Sequence, residues 1–192
     1  MNTKRTNSEK LLGNNRETIP NIAFRIMTAI MNLMDLFGKQ SNKHFKTLDL
    51  KNGHTVIDYG CGPARYIRKA SDTVGKAGKV IAVDIHPLAI KKVKEKIKRF
   101  NLENVETVLA NGYNTSIASE TADVVFALDM FHMIEQPKEF LKELSRLVKR
   151  EGTIIIEDGH QPRSETLQKI ENSNVLTITG ENPVHVKCKK KI

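Results

Sequence analysis

A chain of 192 residues with 39% hydrophobic and 28% charged residues has the size and make-up of one globular domain with a full core. Two cysteines, Cys61 and Cys188, provide neither a disulfide framework nor a metal-ligand spacing, which argues against both classes and favours a reducing, cytoplasmic setting. The net charge of +9 sits largely in Lys91, Lys92, Lys94, Lys96, Lys98 and Arg99 and in Lys187, Lys189, Lys190 and Lys191; without interleaved aromatics it reads as a solvated helix face and a soluble tail.

Residues 1 to 19 are polar and aperiodic, the pattern of a flexible arm without the apolar core of a signal peptide. Pro20 opens a helix running to Phe37, closed by Gly38. Its polar positions Asn21, Arg25, Thr28, Asn32 and Asp35 form one narrow stripe; the rest is apolar, with Met27, Met31 and Met34. Charges interrupt this stretch and it falls short of the ~20 residues that cross a bilayer. Three uses fit its apolar face: packing on the fold as a lid, forming a homodimer, or lying on a membrane surface.

From Thr55 onward strand and helix signals alternate. Strands are expected at 55–59, 79–84, 105–110, 124–128 and 153–157, and helices at 64–74, 87–100, 137–148 and 164–172. Two further β-rich runs, 175–179 and 184–188, joined by Gly180-Glu181-Asn182-Pro183, read as an antiparallel hairpin. The pattern predicts an α/β fold, a doubly wound, mostly parallel seven-stranded sheet with right-handed crossovers. Residues 1–44 form the arm and lid-like helix, and 45–192 the main domain.

Ligands of such sheets bind at the carboxyl ends of the strands, which sorts the polar residues. Asp58–Gly62, Asp84–His86, Asn111–Gly112, Asp129–His132 and Asp158–His160 qualify, whereas His54 lies at the opposite edge. The run Val56-Ile57-Asp58-Tyr59-Gly60-Cys61-Gly62-Pro63-Ala64 ends an apolar strand in a turn of small residues, where backbone N–H groups can approach a ligand closely. Asp84, closing the next strand, adds a second carboxylate over the same crevice, an arrangement suited to a ribose-bearing cofactor. The spacing Gly60-x-Gly62-x-Ala64 departs from the Gly-x-Gly-x-x-Gly of nicotinamide dehydrogenases.

From about Phe45 onward the chain resembles the class I S-adenosylmethionine-dependent methyltransferases, in particular small-molecule enzymes such as quinone-pathway C-methyltransferases. Their first motif reads acidic-x-Gly-x-Gly-x-Gly; Ala64 stands at the third glycine. The resemblance implies S-adenosylmethionine as cofactor, with S-adenosylhomocysteine as product. It implies Asp58, Tyr59, Gly60, Cys61 and Gly62 under the methionine part, Asp84 on the ribose hydroxyls and Ile85 against the adenine. It places Asn111 and Gly112 near the adenine amine and Asp129 and Met130 in the wall facing the acceptor. Lys149-Arg150-Glu151-Gly152-Thr153 resembles the family's turn into its fifth strand. No Asn-Pro-Pro-Tyr-like motif follows the fourth strand, which disfavours nucleic-acid bases and protein amides as acceptors.

His132 and, less well placed, His160 are the candidate general bases, because histidine titrates near neutrality and both follow strands. No metal site is expected. The activity implied is methyl transfer by in-line displacement to a small acceptor with a hydrophobic part. Two alternatives stay open: an RNA methyltransferase using the Lys91–Arg99 face, and a non-catalytic S-adenosylmethionine-binding regulatory module.

Overall fold

Runs that stay apolar on both sides, such as Val80-Ile81-Ala82-Val83, can be satisfied only in strands covered on two faces. The computed structural model describes residues 19–37 and 45–191 and builds such a sheet. All but Ile19 of the expected arm, and the Gly38 cap, lie outside the described residues.

Strands β1 (Thr55–Tyr59), β2 (Lys79–Asp84), β3 (Val105–Leu109), β4 (Ala122–Ala127) and β5 (Val148–Glu157) run parallel in the order β3-β2-β1-β4-β5. The hairpin of β6 (Leu176–Glu181) and β7 (His185–Lys190) completes seven strands, β7 lying antiparallel between β5 and β6. Helices α1 (Asn21–Phe37), α2 (Ile67–Val74), α3 (Pro87–Phe100), α4 (Pro137–Leu147) and α5 (Arg163–Ser173) account for the rest of the expected pattern. Among the described residues no helix is long and apolar enough to cross a membrane.

Alternation along the strands divides the core in two. Ile57, Tyr59, Val83 and Val125 join Phe140, Leu144 and Leu147 of α4 and Ile170 of α5. Val56, Val80, Ala82 and Val124 join Ile67 and Ala70 of α2 and Ala89 and Val93 of α3. Full burial of the Val, Leu, Ile and Phe side chains among them contributes ~1.5–3 kcal/mol each.

Some boundaries moved, each for a local reason. The expected helix start at Ala64 is overturned: Ala64 sits at φ 64°, still inside the turn, with its N–H on the Cys61 carbonyl at 3.0 Å. α2 therefore begins only at Ile67. Strand β5 starts five residues early, directly after α4, because Gly152 lets it approach β4 closely. A Cβ there would lie 2.6 Å from Val148 Cγ2 and 2.8 Å from the Asp123 carbonyl. The hairpin strands slip one residue toward the C-terminus at their starts, and a register shift between Ile178 and Gly180 accommodates the turn.

α1 does not hold one undivided apolar face. Phe24 and Thr28 are buried, the Thr28 hydroxyl donating to the Phe24 carbonyl at 2.8 Å. Ile22, Ile26, Ile30 and Leu33 point to solvent on another side of the helix.

Candidate functional site

β1 and β4 lie side by side, while the chain passes from β1 to β2 and β3 before returning to β4. That reversal opens a crevice above the carboxyl ends of β1 and β4, and the turn after β1 forms its floor. Gly60 and Gly62 hold φ of 79° and 48°, which side-chain-bearing residues adopt only with strain. The N–H groups of Gly60 and Cys61 both donate to the Val83 carbonyl, at 2.8 and 3.0 Å, tying the turn to the end of β2.

Asp84 continues that tie. One carboxylate oxygen accepts from Gly62 N at 2.9 Å and the other from His86 N at 2.8 Å, so a single side chain joins the glycine turn to the start of α3. Each oxygen retains a second lone pair for another donor. Burial raises the Asp84 carboxyl above its ordinary range, opposed by these N–H groups.

Asp58 is only 2% exposed, and its Oδ2 has no hydrogen-bond partner within the protein. Burial first, and the neighbouring Asp84 charge second, push its carboxyl up to about 8. The same burial, reinforced by both carboxylates, drives the Cys61 thiol well above its ordinary range, so it stands as a neutral thiol. Among the described residues no group of histidine, cysteine and carboxylate side chains is placed to hold a metal ion.

The sides of the cavity are aromatic and sulfur-rich. The Tyr59 hydroxyl donates to the Tyr113 carbonyl at 2.6 Å, and both rings meet Phe140 edge-on at 5.4 and 6.0 Å. Met130 roofs Gly60: a Cβ there would lie 2.9 Å from Met130 Cγ. α1 supplies the cover. Phe24 stacks on the His86 ring at 4.5 Å, and Met27 and Met31 join Ile19 in the lining. His86 Nδ1 accepts from Leu88 N at 3.1 Å, so its proton sits on Nε2 and is donated to the Ile19 carbonyl at 3.1 Å.

Of the residues expected to act, Asp58, Tyr59, Gly60, Cys61, Gly62, Asp84, Ile85, Gly112, Asp129 and Met130 line this one cavity. Asn111 is exposed and is not among the lining residues, although its neighbour Gly112 is. Neither candidate base is in the lining. His132 packs its ring over Gly159, where a Cβ would fall 2.1 Å from Nδ1, and meets His160 edge-on at 4.9 Å. His160 is exposed, with Nε2 4.0 Å from Oδ1 of the lining residue Asp129. Met133 and Ile134, in the segment after β4 that the resemblance placed in the wall, also line the cavity, and sequence reasoning overlooked Arg65, Tyr66, Tyr113 and Phe140. The basic run is spread along α3, with Lys98 and Arg99 in its last turn, about 20 Å of helix beyond the cavity end.

Replacing Gly60 with alanine adds left-handed strain of roughly 1–2 kcal/mol and pushes Met130 from its seat. Gly60→Ala is expected to lower the thermal midpoint by a few degrees, read by differential scanning fluorimetry. An unchanged midpoint would show that the turn relaxes freely.

The family model for a methyltransferase domain matches residues 50–191. The chain belongs to the class I S-adenosylmethionine-dependent methyltransferases. A demethylmenaquinone methyltransferase of Bacillus cereus is 27% identical over 117 residues, 61% of this chain and 49% of that protein. The chain thus spans about half the length of the curated relatives it matches. The crystal structure of a SAM-dependent methyltransferase from Aquifex aeolicus superposes with a TM-score of 0.69 at 26% identity, covering 78% of this chain and 88% of that one. Coclaurine N-methyltransferase, solved with N-methylheliamine and S-adenosylhomocysteine, gives 0.53 at 25% identity, covering 61% of this chain and 34% of that one. S-adenosylmethionine is the cofactor of the family to which the chain belongs, and the coclaurine enzyme holds its demethylated form, S-adenosylhomocysteine.

Proposed function

We propose that the methyl group passes to a small acceptor with an apolar body, held beneath α1. The observation that carries this reading is the contrast within one cavity. Its floor is charged and rich in backbone donors; its cover is Phe24, Met27, Met31, Met133 and Ile134. Methionine side chains adapt their shape and suit a greasy ligand. The demethylmenaquinone methyltransferases among the relatives act, by name, on a small molecule, which supports the same class of acceptor.

The residues present fit the cofactor. Asp58 offers a buried carboxylate oxygen lacking a partner, a place for the ammonium of the methionine part. Asp84 has one lone pair left on each oxygen, matching the two hydroxyls of a ribose. At Gly62 an added Cβ would meet nothing nearer than 4.0 Å, and at Gly112 nothing within that distance, so backbone and ligand can approach there. Ile85 lies where it can cover the adenine, and Asn111, next to Gly112, keeps its proposed part as acceptor for the adenine amine. The bound cofactor supplies a sulfonium-activated methyl, transferred by in-line displacement. The protein's task is to keep the acceptor atom ~3–3.5 Å from that methyl, with water excluded by α1. An acceptor needing a base finds Asp129 at the wall with His160 behind it.

Labelled S-adenosylmethionine incubated with a metabolite extract tests the proposal. Label should appear in low-mass, solvent-extractable product; label entering RNA or protein instead would overturn it. With an acceptor identified, His132→Ala should lower turnover and leave cofactor affinity unaltered. Full turnover at saturating acceptor would remove His132 from the reaction.

A further inference from the structure

The lid helix is apolar on two sides, and the cavity uses one of them. Phe24, Met27 and Met31 face inward. Ile22, Ile26, Ile30 and Leu33, at spacings of four, four and three, share another side and are 68%, 48%, 53% and 57% exposed. Isolated apolar residues on a surface are ordinary, whereas a row of four large aliphatic side chains along one helix marks a contact surface.

We propose that this row lies on an anionic membrane surface, with α1 parallel to the plane. The inference goes beyond the methyl-transfer reading and does not depend on it.

Two arguments select the occupant. The first is charge. Exposed Arg25 flanks the row, and the chain bracketing α1 is basic on both sides. Lys4, Arg5, Lys10 and Arg16 against Glu9 and Glu17 precede it, and Lys39, Lys43 and Lys46 follow against Asp35 within α1 and Asp49. Aliphatic residues on one face, exposed Arg25 on the same helix and flanking sequence in which cations outnumber carboxylates, within a total charge of +9, are the ingredients of an interfacial helix on acidic headgroups. A second copy of this basic chain would bring like charges together at the same place.

The second is area. Four side chains about half exposed offer roughly a few hundred Å², well short of the ~800 Å² that each partner contributes to a stable dimer. That much surface suffices for shallow insertion among headgroups, where electrostatic attraction adds to the apolar term.

The geometry has a consequence for the site. The outer row and the inner wall are two sides of one helix, so the face resting on lipid is the back of the cover over the cavity. An acceptor dissolved in the bilayer would reach the cavity at the edge of α1 without crossing water.

Sedimentation of the full chain with vesicles of phosphatidylglycerol, and separately of phosphatidylcholine, tests this. The protein should pellet with phosphatidylglycerol, several-fold less with phosphatidylcholine, and should be released as salt rises. I22S/I26S/I30S should reduce vesicle binding roughly tenfold or more, with cofactor affinity and thermal midpoint retained, because these side chains do not line the cavity. Should that variant fold poorly, Arg25→Glu should still weaken uptake by phosphatidylglycerol and leave phosphatidylcholine unaffected.

Equal uptake of wild type and the triple variant, or none by either, would overturn the proposal. So would light scattering that shows a dimer dispersed by the triple variant without vesicle binding, since the row would then join two copies. Methyl transfer to a water-borne acceptor is measured without vesicles, so failure here leaves that reading standing, and the converse holds.

Discussion

Asp58→Asn is expected to weaken S-adenosylmethionine binding by about a hundredfold or more, because leaving one member of a buried ion pair alone costs ~3–5 kcal/mol. Titration calorimetry reads the loss directly. The wild-type pH profile carries a second signature. In the empty protein the Asp58 carboxyl holds its proton up to about 8, through burial and then the nearby Asp84 charge. A ligand ammonium beside it favours the carboxylate, so binding at pH 7 should expel a proton, visible as heat that depends on the buffer. Apparent affinity should fall by up to about tenfold per pH unit below 8. Asparagine has no proton to lose, and both effects should vanish.

Stability of the empty protein should move in the opposite sense. The folded carboxyl titrates near 8 and its unfolded counterpart near 3.8, so the folded chain binds the extra proton between those values. This contribution is fully present below about pH 4 and is lost as pH climbs through 8. Asp84, also raised by burial, adds a slope of the same sign. The diagnostic is therefore the difference between wild type and Asp58→Asn. The variant should melt higher at pH 8 without cofactor and gain less when cofactor is added. Identical pH profiles for the two proteins would dismiss a buried, protonated Asp58.

Asp84→Ala is expected to strike both ligand and fold. Two hydrogen bonds from a ribose diol to a carboxylate contribute ~1.5–3 kcal/mol each, so affinity should drop by roughly 10²–10⁴. The substitution also strands Gly62 N–H and His86 N–H, which the carboxylate accepts at 2.9 and 2.8 Å. That should lower the midpoint by roughly 5–10 °C for a chain of this size. Adenosine separates the two carboxylates. It carries the ribose and lacks the ammonium, so Asp84→Ala should weaken it and Asp58→Asn should not. Undiminished adenosine binding by Asp84→Ala would remove the ribose role.

The site's floor was legible because it depends on sequence neighbours. Asp58, Gly60 and Gly62 lie within five residues, and Asp84 closes the next strand, so one rule about strand ends finds them all. The sheet was legible for a similar reason: two-face burial of β2 and β4 leaves the unbroken apolar runs Val80–Val83 and Val124–Ala127. The cover was harder to read. Phe24 meets His86 across 62 positions, and no local pattern announces a ring stacked at that distance in the chain. Tyr66 was hidden by an expected helix that begins three residues later than Ala64, the turn having absorbed the difference. His132 follows the right strand but packs on Gly159, because the φ of 65° and missing side chain there leave room for an imidazole.

Phe24 on the His86 ring and the Ile19 carbonyl on its Nε2 tie α1 and the residues just ahead of it to the start of α3, at the rim of the cavity. On the proposed reading, a donor exchanging beneath α1 would require that stack to part, and the frequency of its parting would then bound turnover.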